Sequence, residues 1–126
     1  MRLWHEDLIP LLPRFQLLGQ HREICALRGL SWDKKHSVVN YVFKHPYYYL
    51  YAYHRLVICE MEKRGYHVDM AWKDPSYRGQ RIGYDTSCFT CEEDIVHSPI
   101  YPEHDDKYLQ ECLLNLKKKG IQLSSQ

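Results

Sequence analysis

No apolar run in the sequence approaches the roughly 18 residues that a membrane-spanning helix requires. The first residues also lack the basic-then-apolar layout of a secretory signal, because Glu6, Asp7, Pro10 and Pro13 interrupt them. These two absences lead us to expect a soluble, cytoplasmic protein with no membrane partner. Cysteine is odd in number, with five residues: Cys25, Cys59, Cys88, Cys91 and Cys112. Without an export signal, reduced thiols are favoured over a disulfide framework. Internal repeats and low-complexity tracts are missing too, which excludes a solenoid or a linker-like chain. What remains is a chain of 126 residues, 44% of them hydrophobic, which suits one domain around one core.

The formal net charge of +1 hides an uneven distribution. Residues 1–82 carry 13 Lys/Arg against 8 Asp/Glu, together with six histidines. Residues 83–106 carry no Lys or Arg and seven acids, and residues 107–126 carry four lysines against one acid. A polyanion would be drawn to the front of the chain and repelled by the acidic stretch. A mixed solvated surface explains the same counts and stays open on charge alone.

Periodicity predicts three main helices. The first starts near Pro13, where a missing N–H costs nothing, and runs to about Leu27 before Gly29. Its apolar positions are Leu17, Leu18, Ile24, Cys25 and Leu27, whereas Gly19, Arg22, Glu23 and Ala26 share one quadrant. A glycine inside a helix costs about 1 kcal/mol against alanine, so Gly19 implies a close approach by the N-terminal arm or a ligand. The second helix opens at Pro46, carries Leu50, Tyr53, Val57 and Met61 as its core stripe, and closes on Lys63-Arg64-Gly65. Tyr47, Tyr48, Tyr49, Tyr51 and Tyr53 could pack or stack on bases, and packing is the usual explanation. Val38 to Phe43 reads as a short helix or a strand. Residues 66–106 show no long periodic helix. The third helix spans Lys107 to Lys119, with Tyr108, Leu109, Cys112, Leu113 and Leu116 inward and Gly120 as its stop. The expected fold is mainly α: three helices with long irregular connections and an N-terminal arm packed between them.

The run Leu17-Leu18-Gly19-Gln20-His21-Arg22-Glu23, close behind Met1-Arg2-Leu3-Trp4, resembles the first helix of the phage-type pyrimidine dimer DNA glycosylases. His36 to Gly65 resembles the family segment that begins with a histidine and ends in a helix closing on Lys-Arg-Gly, and Asp74-Pro75-Ser76-Tyr77-Arg78-Gly79 resembles a further family stretch. In that family the N-terminal amine is the nucleophile and the helix glutamate its essential partner. The resemblance therefore implies Met1 and Glu23 as the catalytic pair. It also implies DNA contacts from Arg2, His21, Arg22, Arg28, Lys34, Lys35, His36 and Arg78. The chemistry is cleavage of the N-glycosidic bond at a cyclobutane pyrimidine dimer, followed by β-elimination at the abasic site. An α-amine suits it because its ordinary pKa, about 7.7–8.0, leaves part of it neutral near pH 7, whereas a lysine near 10.4 must first be perturbed. A nearby carboxylate can then move protons during sugar opening and strand cleavage. The implied partner is double-stranded DNA bearing damaged or abasic sites, bound by a monomer without cofactor or metal.

The chain departs from the phage pattern in three places. Arg2 is too large for ordinary removal of Met1, so the nucleophile would be the Met1 amine itself, freed of its formyl group. Ala26 stands where the phage enzymes place a base, with Arg28 close by, and the tail lacks their aromatic residues. The departures keep two alternatives in play: a glycosylase for another modified base, and a non-catalytic DNA-binding module. Bland readings stay open as well: a surface ion pair for Glu23, a turn cap for Arg78 and an exposed loop for Lys34, Lys35 and His36. Outside the resemblance, Cys88 and Cys91 with His97 and His104 hold the minimum ingredients of a zinc site, with ordinary thiols favoured.

Overall fold

A computed structural model describes residues 3–29, 45, 47–74, 76–80, 83–84 and 100–121. Among these the fold is all-α, as expected, with three helices close to the predicted spans: α1 (Arg14–Arg28), α2 (Tyr47–Lys63) and α3 (Asp106–Lys118). Several of their ends have a visible cause. Pro13 precedes α1 in extended backbone at φ −61° and ψ 160°. Asp105 caps α3 by accepting from the Tyr108 N–H at 2.9 Å. Gly65 and Gly120 take φ of 92° and 80°, and the following N–H groups of Tyr66 and Ile121 reach back to Met61 and Leu116. This left-handed closure strains any residue with a Cβ.

A 3-10 helix over Glu6–Leu11, which the periodicity did not reveal, precedes α1 and packs on α2. Its six residues are too few to show a helical period, yet it buries Leu8 and Ile9. A second 3-10 turn covers Met70–Lys73, and an antiparallel bridge joins Tyr77 to Tyr84. The core gathers Leu17, Ile24 and Leu27 from α1, all four predicted α2 positions, and Cys112 and Leu116 from α3. Leu18, Tyr108, Leu109 and Leu113 pack against its edge. Tyr49, Tyr51 and Tyr53 are packing residues, and Tyr53 is fully buried. The side chains of Tyr47 and Tyr48, and the segment Val38 to Phe43, lie outside the described residues.

The N-terminal arm threads between all three helices. Leu3 and Trp4 belong to the core, and their backbone polar groups are shared among the helices. Tyr108 of α3 donates its hydroxyl to the Leu3 carbonyl at 2.5 Å, and Tyr53 of α2 donates to the Trp4 carbonyl at 2.5 Å. Gln20 of α1 accepts the Trp4 N–H at 2.7 Å. Burying these groups in partnership avoids about 1–3 kcal/mol for each one otherwise left unsatisfied. The arm's position is therefore set by three separate contacts.

Candidate active site

Glu23 lies on α1, partly buried, on the flank that faces the anchored arm. Gln20, one turn earlier and 1% exposed, links the two. Its Oε1 accepts from the Trp4 N–H and lies 2.8 Å from the Tyr53 hydroxyl, whose one proton goes to the Trp4 carbonyl, and its Nε2 donates to Glu23 Oε1 at 3.0 Å. Desolvation pushes the Glu23 carboxyl above the ordinary carboxylate range. The positive amino terminus, the Gln20 hydrogen bond, Lys119 and Arg22 pull it back, in that order. Lys119 also stands over the Trp4 ring, 5.6 Å from its centroid. The result is a half-desolvated carboxylate surrounded by cations, which can exchange a proton closer to neutrality than a solvated glutamate can.

Arg22 is exposed beside Glu23 and leans back over Gly19: a Cβ added at Gly19 would lie 3.8 Å from its Nη2. The other described residues of the implied DNA face sit elsewhere. Arg28 is fully buried. Its Nη1 donates to the Trp72 carbonyl at 2.9 Å, and its Nη2 donates to the carbonyls of Asp74 at 2.9 Å and Tyr77 at 2.6 Å. Arg78, 4% exposed, donates its Nε to the Arg28 carbonyl at 2.8 Å and so caps the C-terminal end of α1. Both arginines, expected at the DNA surface, bind main-chain carbonyls inside the protein. The turn-cap reading of Arg78 matches this placement. Met1, Arg2, Lys34, Lys35 and His36 lie outside the described residues, as do Cys88, Cys91 and His97 of the zinc reading. His104, the fourth member of that set, is buried against His5 and Tyr108, with ring centroids 5.6 and 4.9 Å away.

His21 belongs to a cluster on the opposite flank of α1. His54 Nδ1 lies 2.9 Å from Arg28 Nη1, and His54 Nε2 lies 2.9 Å from His21 Nδ1. An arginine can only donate, so His54 Nδ1 carries a lone pair and its proton sits on Nε2. That proton points at His21 Nδ1, which must accept, leaving the His21 proton on its own Nε2. Both rings are thereby fixed as neutral, each in one tautomer. Burial, with Arg28 adding to it, lowers both pKa values and agrees with this assignment. Cys25 lies 3.7 Å from His21 Nε2, and burial pushes its thiol up to about 12. His21, Cys25 and His54 offer potential metal-ligand atoms within 4.8 Å of one another. The cluster does not suit a cation, because ligand histidines normally donate their second N–H to an acceptor. Here that second position faces a guanidinium donor, and the thiol holds its proton.

From the sequence, Tyr53 and Tyr108 were core positions and Lys119 the end of the third helix, and neither they nor Gln20 had a role at the site. Gln20 stands inside the recognised motif, and a polar residue at a core-facing helical position was the available signal. Among known proteins, the family model described as pyrimidine dimer DNA glycosylase matches residues 1–74, more than half of the chain. The match spans the arm, α1 and α2 and ends before α3 and its C-cap residue, which supply Tyr108 and Lys119. No curated protein and no solved structure matches the chain.

Proposed function

Because the chain belongs to the pyrimidine dimer DNA glycosylase family, we propose that it is a repair glycosylase with abasic-site lyase activity on duplex DNA containing cyclobutane pyrimidine dimers. The neutral α-amine of Met1 attacks the sugar C1′, and the base departs with the electron pair of the glycosidic bond. The sugar ring then opens as an imine forms between the amine nitrogen and C1′. Glu23 accepts and returns protons during ring opening, and β-elimination breaks the bond from C3′ to the phosphate oxygen. Arg22 binds a phosphate through its two-pronged guanidinium, which matches phosphate oxygens.

The observation that carries this reading is the continuous link from arm to carboxylate: the Trp4 N–H to Gln20 at 2.7 Å, then Gln20 to Glu23 at 3.0 Å. It ties the arm that leads from the amine to the side chain proposed as its partner. The amino-terminal charge also acts on the Glu23 carboxyl. Borohydride reduction on abasic duplex DNA tests the proposal. A covalent protein–DNA adduct is expected, and it should disappear when the terminal amine is acetylated or in Glu23→Gln. An unmodified protein that gives no adduct sinks the imine mechanism.

A further inference from the structure

Phe15 is 76% exposed, the most exposed large hydrophobic side chain among the described residues. Leaving a phenylalanine largely in water forgoes most of the roughly 1.5–3 kcal/mol that its burial would contribute. A single exposed apolar residue is ordinary, but this one has a particular position. Along α1, Phe15, Gly19, Arg22 and Glu23 follow at steps of four, three and one, which places them on neighbouring parts of one surface. The opposite face is the one that packs, through Leu17, Ile24 and Leu27. Phe15 thus lies about 6 Å along the helix axis from Gly19 and about 12 Å from Glu23.

Gly19, one turn after Phe15, contributes no side chain to this surface. Above Gly19, the nearest atom to an added Cβ is the Arg22 guanidinium, at 3.8 Å. This face of α1 therefore carries an exposed aromatic ring, a glycine one turn later and a guanidinium over that glycine. Arg14 places a second cation 5.7 Å from the Phe15 ring centroid. An exposed apolar ring on a helix face that also carries two cations matches a planar group carried on an anion, which is the chemistry of a nucleotide. Arginine and aromatic faces both stack on bases.

We propose that Phe15 is a base-stacking residue: a nucleobase drawn out of the duplex stack lies on the Phe15 ring over Gly19, with its phosphate at Arg22. The inference rests on the DNA-glycosylase reading and adds the residue that holds the unstacked base open beside Glu23. The sequence motif did not include Phe15. Its neighbours Arg14 and Arg22 supply attraction to the phosphates, and the ring supplies a contact independent of charge.

The test is binding of the full chain to a duplex carrying a tetrahydrofuran abasic analogue, which cannot form the imine, followed by fluorescence anisotropy across a salt series. Phe15→Ala should weaken binding about five- to 140-fold, the range of one base–aromatic stack. The slope of log affinity against log salt should stay unchanged, because no phosphate contact is lost. Phe15→Trp should retain affinity, and Phe15→Leu, which keeps apolar bulk without a π face, should behave like Phe15→Ala. Phe15→Ala within twofold of the unmodified protein overturns the proposal, as does full retention by Phe15→Leu. Exposure of the ring means all three variants should keep the parent melting temperature. Borohydride trapping separates the two readings. Loss of affinity in Phe15→Ala with no adduct from the unmodified protein removes the catalytic reading alone. An adduct with unchanged Phe15→Ala binding removes the stacking reading alone.

Discussion

The side-chain amide of Gln20 cannot be turned around. Its Oε1 accepts the Trp4 N–H, so its Nε2 must face Glu23. One buried residue therefore fixes both the arm and the rotamer of the carboxylate. Gln20→Leu keeps the bulk and removes both functions. The buried Trp4 N–H then loses its acceptor, at a cost of about 1–3 kcal/mol in stability, measurable by urea unfolding. The Glu23 carboxyl loses a donor that holds its pKa down, so it should rise further. If the ionised carboxylate does the work, activity rises with pH through this pKa. The acid limb of the pH–rate profile should then lie above the ordinary carboxylate range and move higher in Gln20→Leu. Lys119→Ala should shift it the same way by less, since Lys119 ranks behind Gln20 among the groups that lower it. An acid limb that stays in place in both variants would separate Glu23 from the rate.

Helix α1 works as an element with three sides. One packs into the core, one presents Phe15, Gly19, Arg22 and Glu23, and the third carries His21, Cys25 and Arg28 toward α2 and the Met70–Lys73 turn. Arg28 is the joint of the third side. Its guanidinium holds the carbonyls of Trp72, Asp74 and Tyr77 and orients His54. It also lies over the rings of Trp72 and Tyr51, 4.9 and 5.4 Å from their centroids. Arg28→Leu should cost about 3 kcal/mol or more, roughly 1 kcal/mol for each orphaned carbonyl. Arg28→Lys should recover little, because a single ammonium cannot reproduce the planar fork. Chemical denaturation measures both. DNA binding normalised to folded protein should change less than in Arg22→Ala, since Arg28 is internal.

At the scale of the whole molecule, buried histidines make the fold acid-sensitive. Burial holds His54 well below its ordinary pKa and His104 at about 3. For groups depressed in the folded state, the stabilisation is complete above the unfolded pKa of about 6.5. It drains away as pH falls, until about 3 for His104. Each such histidine contributes a slope of about 1.4 kcal/mol per pH unit inside its window. Glu23, raised by desolvation, works the other way: its contribution favours the fold at low pH and is lost as pH rises through its folded pKa. Two histidines outweigh one half-desolvated carboxylate, so stability should fall from pH 6 to pH 4. The slope should be shallower in His104→Phe, as melting temperatures across that range would record.

The sequence by itself determined the three helices, their stop signals and the Arg22-Glu23 motif. Each of these is local: periodicity, a terminal glycine and a short spacing act within one or two turns. It also identified half of the core among the described residues, the helical positions such as Leu50, Tyr53, Val57 and Met61 that fall on one face. The tertiary structure decided which polar residues serve the site and which serve the scaffold. Arg28 and Arg78 read as DNA-facing cations until the chain brings carbonyls 44 to 50 residues away onto them. Gln20 gains its role only because Trp4 arrives from 16 residues earlier, and Tyr53 and Tyr108 gain theirs from 49 and 105 residues away. A pattern within one helix reports which face is apolar. The partner that meets a buried polar atom on that face comes from another part of the chain, and desolvation makes that partner decisive.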